Sequence, residues 1–190
     1  MVIGIAGPTA SGKTTVARML EEKYGAPRLR YSQILSEMAS ERGLNPEDKA
    51  TLQNLFLSER ETRGEDFLTK EMEERVKKLN DPFIVIEGNR RLVDVETLNR
   101  IAKAREDTLL LLFIDASLEQ RFLRYNKRRE AYNEDTISLQ EFEQLENNDA
   151  EDEINMLKEI FQKEGLVINT DNINAEEVFK AVTTAIEDKD

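Results

Sequence analysis

A lysine and a threonine stand side by side behind two glycines in the run Gly7-Pro8-Thr9-Ala10-Ser11-Gly12-Lys13-Thr14. Every fixed position of the spacing G-x-x-x-x-G-K-[ST] is filled, and that spacing suits the holding of a polyphosphate. Glycines and small side chains let the backbone curl, so that successive N–H groups point inward at an anion. A helix beginning near Gly12 adds the positive end of its dipole. Lys13 is then a mobile point charge for the outer phosphates, and the Thr14 hydroxyl is a ligand for Mg²⁺. The expected nucleotide-binding residues are Gly7, Ala10, Ser11, Gly12, Lys13, Thr14 and Thr15. The bland alternative is a chance glycine-rich turn, which needs neither a strand before it nor a helix behind it.

Phosphoryl transfer also needs cations over the moving charge and an acidic group near the metal. Basic side chains concentrate at Arg121, Arg124, Lys127, Arg128 and Arg129. On a helix Arg121, Arg124 and Arg128 share a face, and Lys127 lies off it. Such a row can neutralise developing charge, or it can be a solvated helix end where cations are favourable. Glu87, beside Gly88, is a carboxylate suited to Mg²⁺ and its waters or to an acceptor; pairing with Arg90 or Arg91 is its alternative. Asp115 is either a second acidic group or a turn residue before Ser117. Arg60 and Arg63 face either an acceptor phosphate or solvent. Seven acids and no bases occupy residues 141–153. Such a run is usually a solvated face, and over phosphates it would be repulsive unless its acids turned outward.

The elements that position these residues alternate. Val2 to Ala6 reads as a buried strand, and the stretch from Thr15 to Tyr24 as a helix with Val16, Met19, Leu20 and Tyr24 on one face. Arg28 to Tyr31 is a short second strand, and Ser32 is the expected N-cap of a helix carrying Ile34, Leu35 and Met38. Asn45-Pro46-Glu47-Asp48 is a further helix start, with Leu52, Leu55 and Phe56 on its buried side. After Gly64 a third helix carries Leu68, Met72, Val76 and Leu79. A minimal parallel crossover needs one helix, so residues 32–79 read as a helical insertion. Phe83 to Ile86 and Leu109 to Ile114 are continuous apolar runs, as in strands buried on both faces of a parallel sheet. Ser117-Leu118-Glu119-Gln120 is a capping-box pattern. Residues 130–153 form a polar segment resembling a lid. A helix with Ile154, Leu157, Ile160 and Phe161 leads to a last strand at Leu166 to Ile168, and Asn174 caps the final helix. The fold expected is α/β, with five parallel strands flanked by helices and ligands at the strand carboxyl ends. It forms a single domain, with its core at 1–31, 80–129 and 154–190.

Composition narrows the chemistry. The chain has 190 residues, no cysteine, no histidine and a formal charge of -12. Thiolate metal sites and Ser-His-Asp or Cys-His catalysis are excluded, whereas phosphoryl transfer depends on positioning and cations. The negative charge argues against nonspecific nucleic-acid binding. No apolar run approaches a membrane span, and a strand starting at residue 2 leaves no room for a signal peptide. A cytoplasmic location is the expectation; the oligomeric state is not readable.

Taken together, these residues resemble the nucleoside monophosphate kinase superfamily of P-loop proteins, which includes adenylate kinase and dephospho-CoA kinase. The resemblance covers most of the chain. Glu87-Gly88-Asn89-Arg90-Arg91 looks like the family's Asp-Gly-x-x-Arg segment, which implies an acidic role for Glu87 and an acceptor-phosphate contact for Arg91, with Arg90 beside it. Asp115 with Arg124 and Arg128 is similar in spacing to the segment leading into the family's lid, which implies that these arginines lie near the donor base and the transferred phosphate. Ser32 falls where the family places a small hydroxyl residue. Gln33-Ile34 replaces the Gly-Asp of adenylate kinases, Glu37 stands where they have an arginine, Glu87 replaces their Asp, and no arginine follows Glu130 until the chain ends. An adenylate kinase in the strict sense is therefore not expected. The resemblance implies an ATP- and Mg²⁺-dependent kinase acting on a small phosphorylated acceptor. Lys13, Glu87, Arg91, Arg124 and Arg128 would be catalytic, and Thr14 and Glu87 would hold the metal. Dephospho-CoA as acceptor and a regulatory nucleotide hydrolase are the alternatives.

Overall fold

The computed structural model describes residues 1–147 and 151–189. The elements run β1 (Val2–Ala6), α1 (Lys13–Tyr24), β2 (Arg28–Arg30), α2 (Tyr31–Glu41), α3 (Lys49–Arg63), α4 (Phe67–Val76), β3 (Ile84–Asn89), α5 (Leu92–Arg105), β4 (Leu109–Asp115), α6 (Leu118–Ala131), α7 (Leu139–Asn147), α8 (Glu151–Glu164), β5 (Leu166–Asn169) and α9 (Ala175–Glu187). All strands pair in parallel, in the order β2-β3-β1-β4-β5. The first strand is thus central, and the chain winds away from it to both sides. A crevice opens where the winding reverses, at the carboxyl end of β1.

Each face of the sheet carries its own core. On one, Ile3, Ile5, Leu110, Leu112 and Ile114 meet Val16 and Leu20 of α1 and Val178, Val182 and Ile186 of α9. On the other, Ile84, Ile86, Leu111 and Phe113 meet α2, α4, α5 and α8 through Ile34, Phe67, Met72, Leu98, Leu157 and Phe161. This two-sided burial is why β1, β3 and β4 are apolar without alternation. Fully burying each of these larger side chains is worth about 1.5–3 kcal/mol. The helices at 32–79 are therefore tied to the sheet by the apolar stripes of α2 and α4.

Two helix starts and one capping box differ from expectation. Ser32 is the second residue of α2, whose cap position is the extended Arg30, φ −134°. Tyr31 buries its ring against that core, which draws the helix start back. The helix expected from Asn45 begins one turn later, where the Asp48 carboxylate accepts from the Thr51 N–H at 2.8 Å. The Asn45 side chain instead accepts from the Glu47 N–H at 3.0 Å, closing a local turn. Ser117 caps α6 by accepting from the Gln120 N–H, but its own N–H donates to Asp171 at 2.8 Å. Only half of the capping box forms there. Asn174 and Glu177 form the whole box at α9.

The polar segment after residue 130 contains a docked helix. Phe142 of α7 is fully buried, with ring centroids 6.0 Å from Phe122 and 5.1 Å from Tyr125 on α6. Among the described residues no helix is long and apolar enough to cross a membrane.

Candidate active site

The turn between β1 and α1 is dictated by close approach. Gly7 has φ 140°, and a Cβ there would lie 2.1 Å from the Ile114 carbonyl oxygen. The β1–β4 pairing brings that carbonyl in, so no side chain fits. Ala10 and Gly12 also have positive φ, 61° and 109°, which alternates the backbone in the way an anion nest requires. The Ser11 N–H donates to the Pro8 carbonyl at 3.3 Å, and the Gly12 carbonyl accepts from Thr15 and Val16 at 3.0 and 3.2 Å. Within the loop the Ser11 hydroxyl is buried and has no partner among the described residues. An anionic oxygen is the kind of group that would satisfy it.

Lys13 turns inward, its ammonium donating to the Pro8 carbonyl at 2.5 Å. Burial is the main force lowering its pKa from 10.5 to about 7, and the positive charge of Arg90 acts in the same direction. Glu87 opposes the shift; Arg121 adds to it and Glu146 opposes it more weakly. The loop lysine is thus strained electrostatically, and a polyphosphate would relieve it.

Beneath the loop the Thr14 hydroxyl donates to a Glu87 carboxylate oxygen at 3.1 Å. Glu87 is 3% exposed, and its other oxygen accepts from Arg28 at 2.8 Å, with Arg30 3.8 Å away. Its pair comes from β2, which runs alongside β3, and Arg91, one of the alternative partners foreseen for it, bonds Asp94 instead. Gly88, φ 85°, makes this possible. The β1–β3 register steps from Ile5↔Glu87 to Ala6↔Asn89, a bulge that re-aims the strand end. Buried Asn89 then donates to the carbonyls of Ile5 and Ile86 at 3.0 and 2.8 Å. A hydroxyl and a carboxylate together are the hard oxygen donors that Mg²⁺ prefers, so the residues present fit that ion, with Arg28 and Arg30 balancing part of the carboxylate charge.

The three arginines that share a face of α6 go to three places. Arg124 reaches the back of the loop, donating to the Thr170 carbonyl at 2.7 Å, the Thr170 hydroxyl at 2.8 Å and the Ser11 carbonyl at 3.3 Å. Arg121 donates through Nε to the Ala116 carbonyl at 3.0 Å and pairs with Glu146 of α7. Arg128 is exposed and stacks on Tyr125, 5.4 Å from the ring centroid. Arg91 bonds Asp94 at 2.8 Å, completing the cap of α5, and lies 5.8 Å from the Phe56 ring of α3. Arg60 also lies over Phe56 and pairs with Glu65, and Arg63 pairs with Glu59 and Glu71. Arg91 and Arg128 are thus not gathered at the loop with Lys13.

Other groups are gathered there. A cleft of about 120 Å³ is bounded by Gly7, Pro8 and Thr9 on one side and by Arg90, Arg121, Glu146, Asp115 and Lys158 on the other. Asp115 accepts from Lys158 of α8 at 2.6 Å. Sequence reasoning gave no site role to Lys158, Thr170 or Arg28. No motif flags them, because each enters through the pairing of strands or the packing of α8. A larger cleft, about 540 Å³, lies between α4 and α5 and is lined by Val76, Leu79, Arg100, Ile101 and Arg105. It lies toward the strand amino ends, away from the loop.

A parallel sheet whose central strand runs into a glycine-bounded loop, with hydroxyl, carboxylate and guanidinium groups around that strand end, is the P-loop kinase architecture. The chain belongs to the AAA_17 family, described as an AAA domain, which it matches over residues 6–143. It is 30% identical over 141 residues to a UPF0200 protein of Pyrobaculum aerophilum, an alignment spanning 74% of this chain and 72% of the relative. A cytidylate kinase of Thermotoga neapolitana is 27% identical over 215 aligned positions, spanning 98% of this chain and 97% of that one. Among solved structures, shikimate kinase from Aquifex aeolicus has the same fold, with a TM-score of 0.52 and 21% identity over 99% of this chain and 97% of that one. The family and the cytidylate kinase relative support kinase-type phosphoryl transfer in the broad sense, and the shikimate kinase structure shows the fold.

Proposed function

We propose that this chain is an ATP-dependent kinase of the nucleoside monophosphate type, moving a phosphoryl group from a nucleoside triphosphate to a small phosphorylated acceptor. The observation that carries the reading is the 3.1 Å contact between Thr14 and Glu87 directly below a loop with three positive-φ residues and an inward lysine. The cytidylate kinase relative, aligned along nearly the whole of both chains, supports a nucleoside monophosphate as acceptor.

In this reading the loop backbone, Ser11 and Lys13 would hold the donor phosphates, and Thr14 and Glu87 would hold Mg²⁺, which would supply Lewis-acid stabilisation of the phosphate charge. An acceptor phosphate oxygen attacks the terminal phosphorus in line, and the bridging P–O bond breaks with its electron pair leaving on the nucleoside diphosphate. That nucleophile is already an anion, so no proton need be removed; a chain with no histidine is suited to it. Dephospho-CoA, whose acceptor is a neutral hydroxyl, would require a base. Arg124 holds the loop, while Arg91 and Arg128 would have to turn from Asp94 and Tyr125 to reach a substrate. Residues 32–79 and 130–153 would close over the site.

The test is ADP release from MgATP with AMP, CMP, UMP or dephospho-CoA added singly. Stimulation by one monophosphate, lost in Lys13→Ala with unchanged circular dichroism, is expected. The absence of basic residues from 130 to 153 favours a second reading, a slow regulatory hydrolase. ADP release indifferent to every acceptor would select it, and retained turnover in Lys13→Ala would refute the donor site itself.

A further inference from the structure

The cleft beside the loop holds an ion pair that phosphate recognition as described so far does not use. Arg121 and Glu146 bond each other with side chains only 11% and 15% exposed, opposite Gly7, Pro8 and Thr9. Both are close enough to Lys13 to act on its charge, in opposite directions. The Arg121 guanidinium is prepared for an anion. Its Nε is tied to the Ala116 carbonyl at 3.0 Å, which fixes the plane and leaves the outer nitrogens facing the cleft. A guanidinium edge takes carboxylate and phosphate oxygens in the same forked geometry. Glu146 is therefore a stand-in for a phosphate, carried by the protein itself.

Its placement is specific. Of the acids described on α7, Glu141 bonds Ser138 and Glu143 is exposed, whereas Glu146 is turned inward. The docking of buried Phe142 on α6 sets that orientation. A carboxylate fixed beside a triphosphate would repel it, so the two cannot share Arg121. A mostly buried ion pair gives little net stability, because desolvation offsets attraction, so exchanging the carboxylate for another anion costs little.

We propose that Arg121 contacts the outer phosphates of the bound nucleoside triphosphate, and that Glu146 occupies its fork until they arrive, making α7 a competitor built into the site. This rests on reading the loop as a nucleotide site. Arg121 is then a substrate-contacting residue and Glu146 a positioning residue acting through it.

The experiment measures binding of MgATP, MgADP and magnesium tripolyphosphate by calorimetry to the whole chain and to Glu146→Gln, Arg121→Ala, the double variant and Lys13→Ala. Thermal melting checks each fold. Glu146→Gln is expected to tighten MgATP and tripolyphosphate about tenfold, and MgADP less, because it frees the Arg121 fork that the outer phosphates take. Arg121→Ala is expected to weaken MgATP by about tenfold or more. In the Arg121→Ala background the gain from Glu146→Gln should shrink to less than about threefold. A purely structural pair predicts weaker binding in both single variants, and that outcome overturns the proposal. So does an equal gain with and without Arg121. Glu146→Asp, which withdraws the carboxylate by one methylene, should also tighten MgATP; if it and Glu146→Gln both fail to fold, the pair is structural and the proposal falls. Unchanged MgATP binding in Lys13→Ala would instead refute the nucleotide site, whatever Arg121 does.

Discussion

Filling the loop with a polyphosphate should draw a proton onto Lys13. In the free protein its pKa lies at about 7, lowered first by burial and then by Arg90. Phosphate oxygens at hydrogen-bond range favour the charged form and return it toward the ordinary lysine range near 10.4. With these values about 0.9 of the lysines are neutral at pH 8 and about 0.1 at pH 6, so binding takes up about 0.9 and 0.1 protons respectively. The apparent affinity for MgATP should then fall about tenfold for each pH unit above 7. Calorimetry at both pH values, in two buffers of different ionisation enthalpy, reads the proton count directly. Lys13→Arg is the control, since a guanidinium does not titrate. The same linkage acts on the free protein with a definite sign. The folded pKa lies below the unfolded one, so between about pH 7 and 10.5 the unfolded chain binds more protons and stability rises with pH. Below pH 7 both states are protonated and the folded state carries the whole cost of the buried ammonium. Lys13→Met should therefore raise the melting temperature at pH 6 and give less at pH 10. Buffer-independent heats at pH 8, or a flat affinity between pH 7 and 9, would refute the argument.

Two further perturbations separate support of the loop from contact with substrate. Glu87→Gln leaves Arg28, 15% exposed, without its carboxylate and should cost about 2–3 kcal/mol in chemical denaturation. Arg28→Met added to it should recover part of that loss, and magnesium should then strengthen ATP binding less than in the parent; an undiminished magnesium effect would remove Glu87 from the metal site. Arg124→Lys loses the fork that spans the two oxygens of Thr170, and should cost about 1–2 kcal/mol while speeding amide exchange in residues 7–12. Unchanged stability with weakened ATP binding would instead make Arg124 a substrate contact.

How far such roles can be read from a chain depends on how local their causes are. The loop was legible because its requirement is local. Gly7 and Gly12 supply backbone angles, and Lys13 and Thr14 sit at a helix start whichever way the rest of the chain runs. Three of the five strands were legible because β1, β3 and β4 are buried on both faces, and continuous apolar runs follow directly from that. Partners of charged groups are a different matter. Arg28 and Glu87 are 59 residues apart, and they meet because β2 pairs with β3 in the register Arg30↔Glu87, which neither stretch encodes alone. The row on α6 shows the same limit. Arg121, Arg124 and Arg128 do stand on one helical face, yet successive turns meet α7, then Thr170 after β5, then open solvent beside Tyr125. Periodicity gives the direction in which a side chain leaves its helix; what it meets is set by elements arriving later in the chain. The acid run shows the same thing from the other side, because charge counting predicts a solvated face while one buried phenylalanine, Phe142, docks α7 so that Glu146 lines the cleft beside Gly7, Pro8 and Thr9.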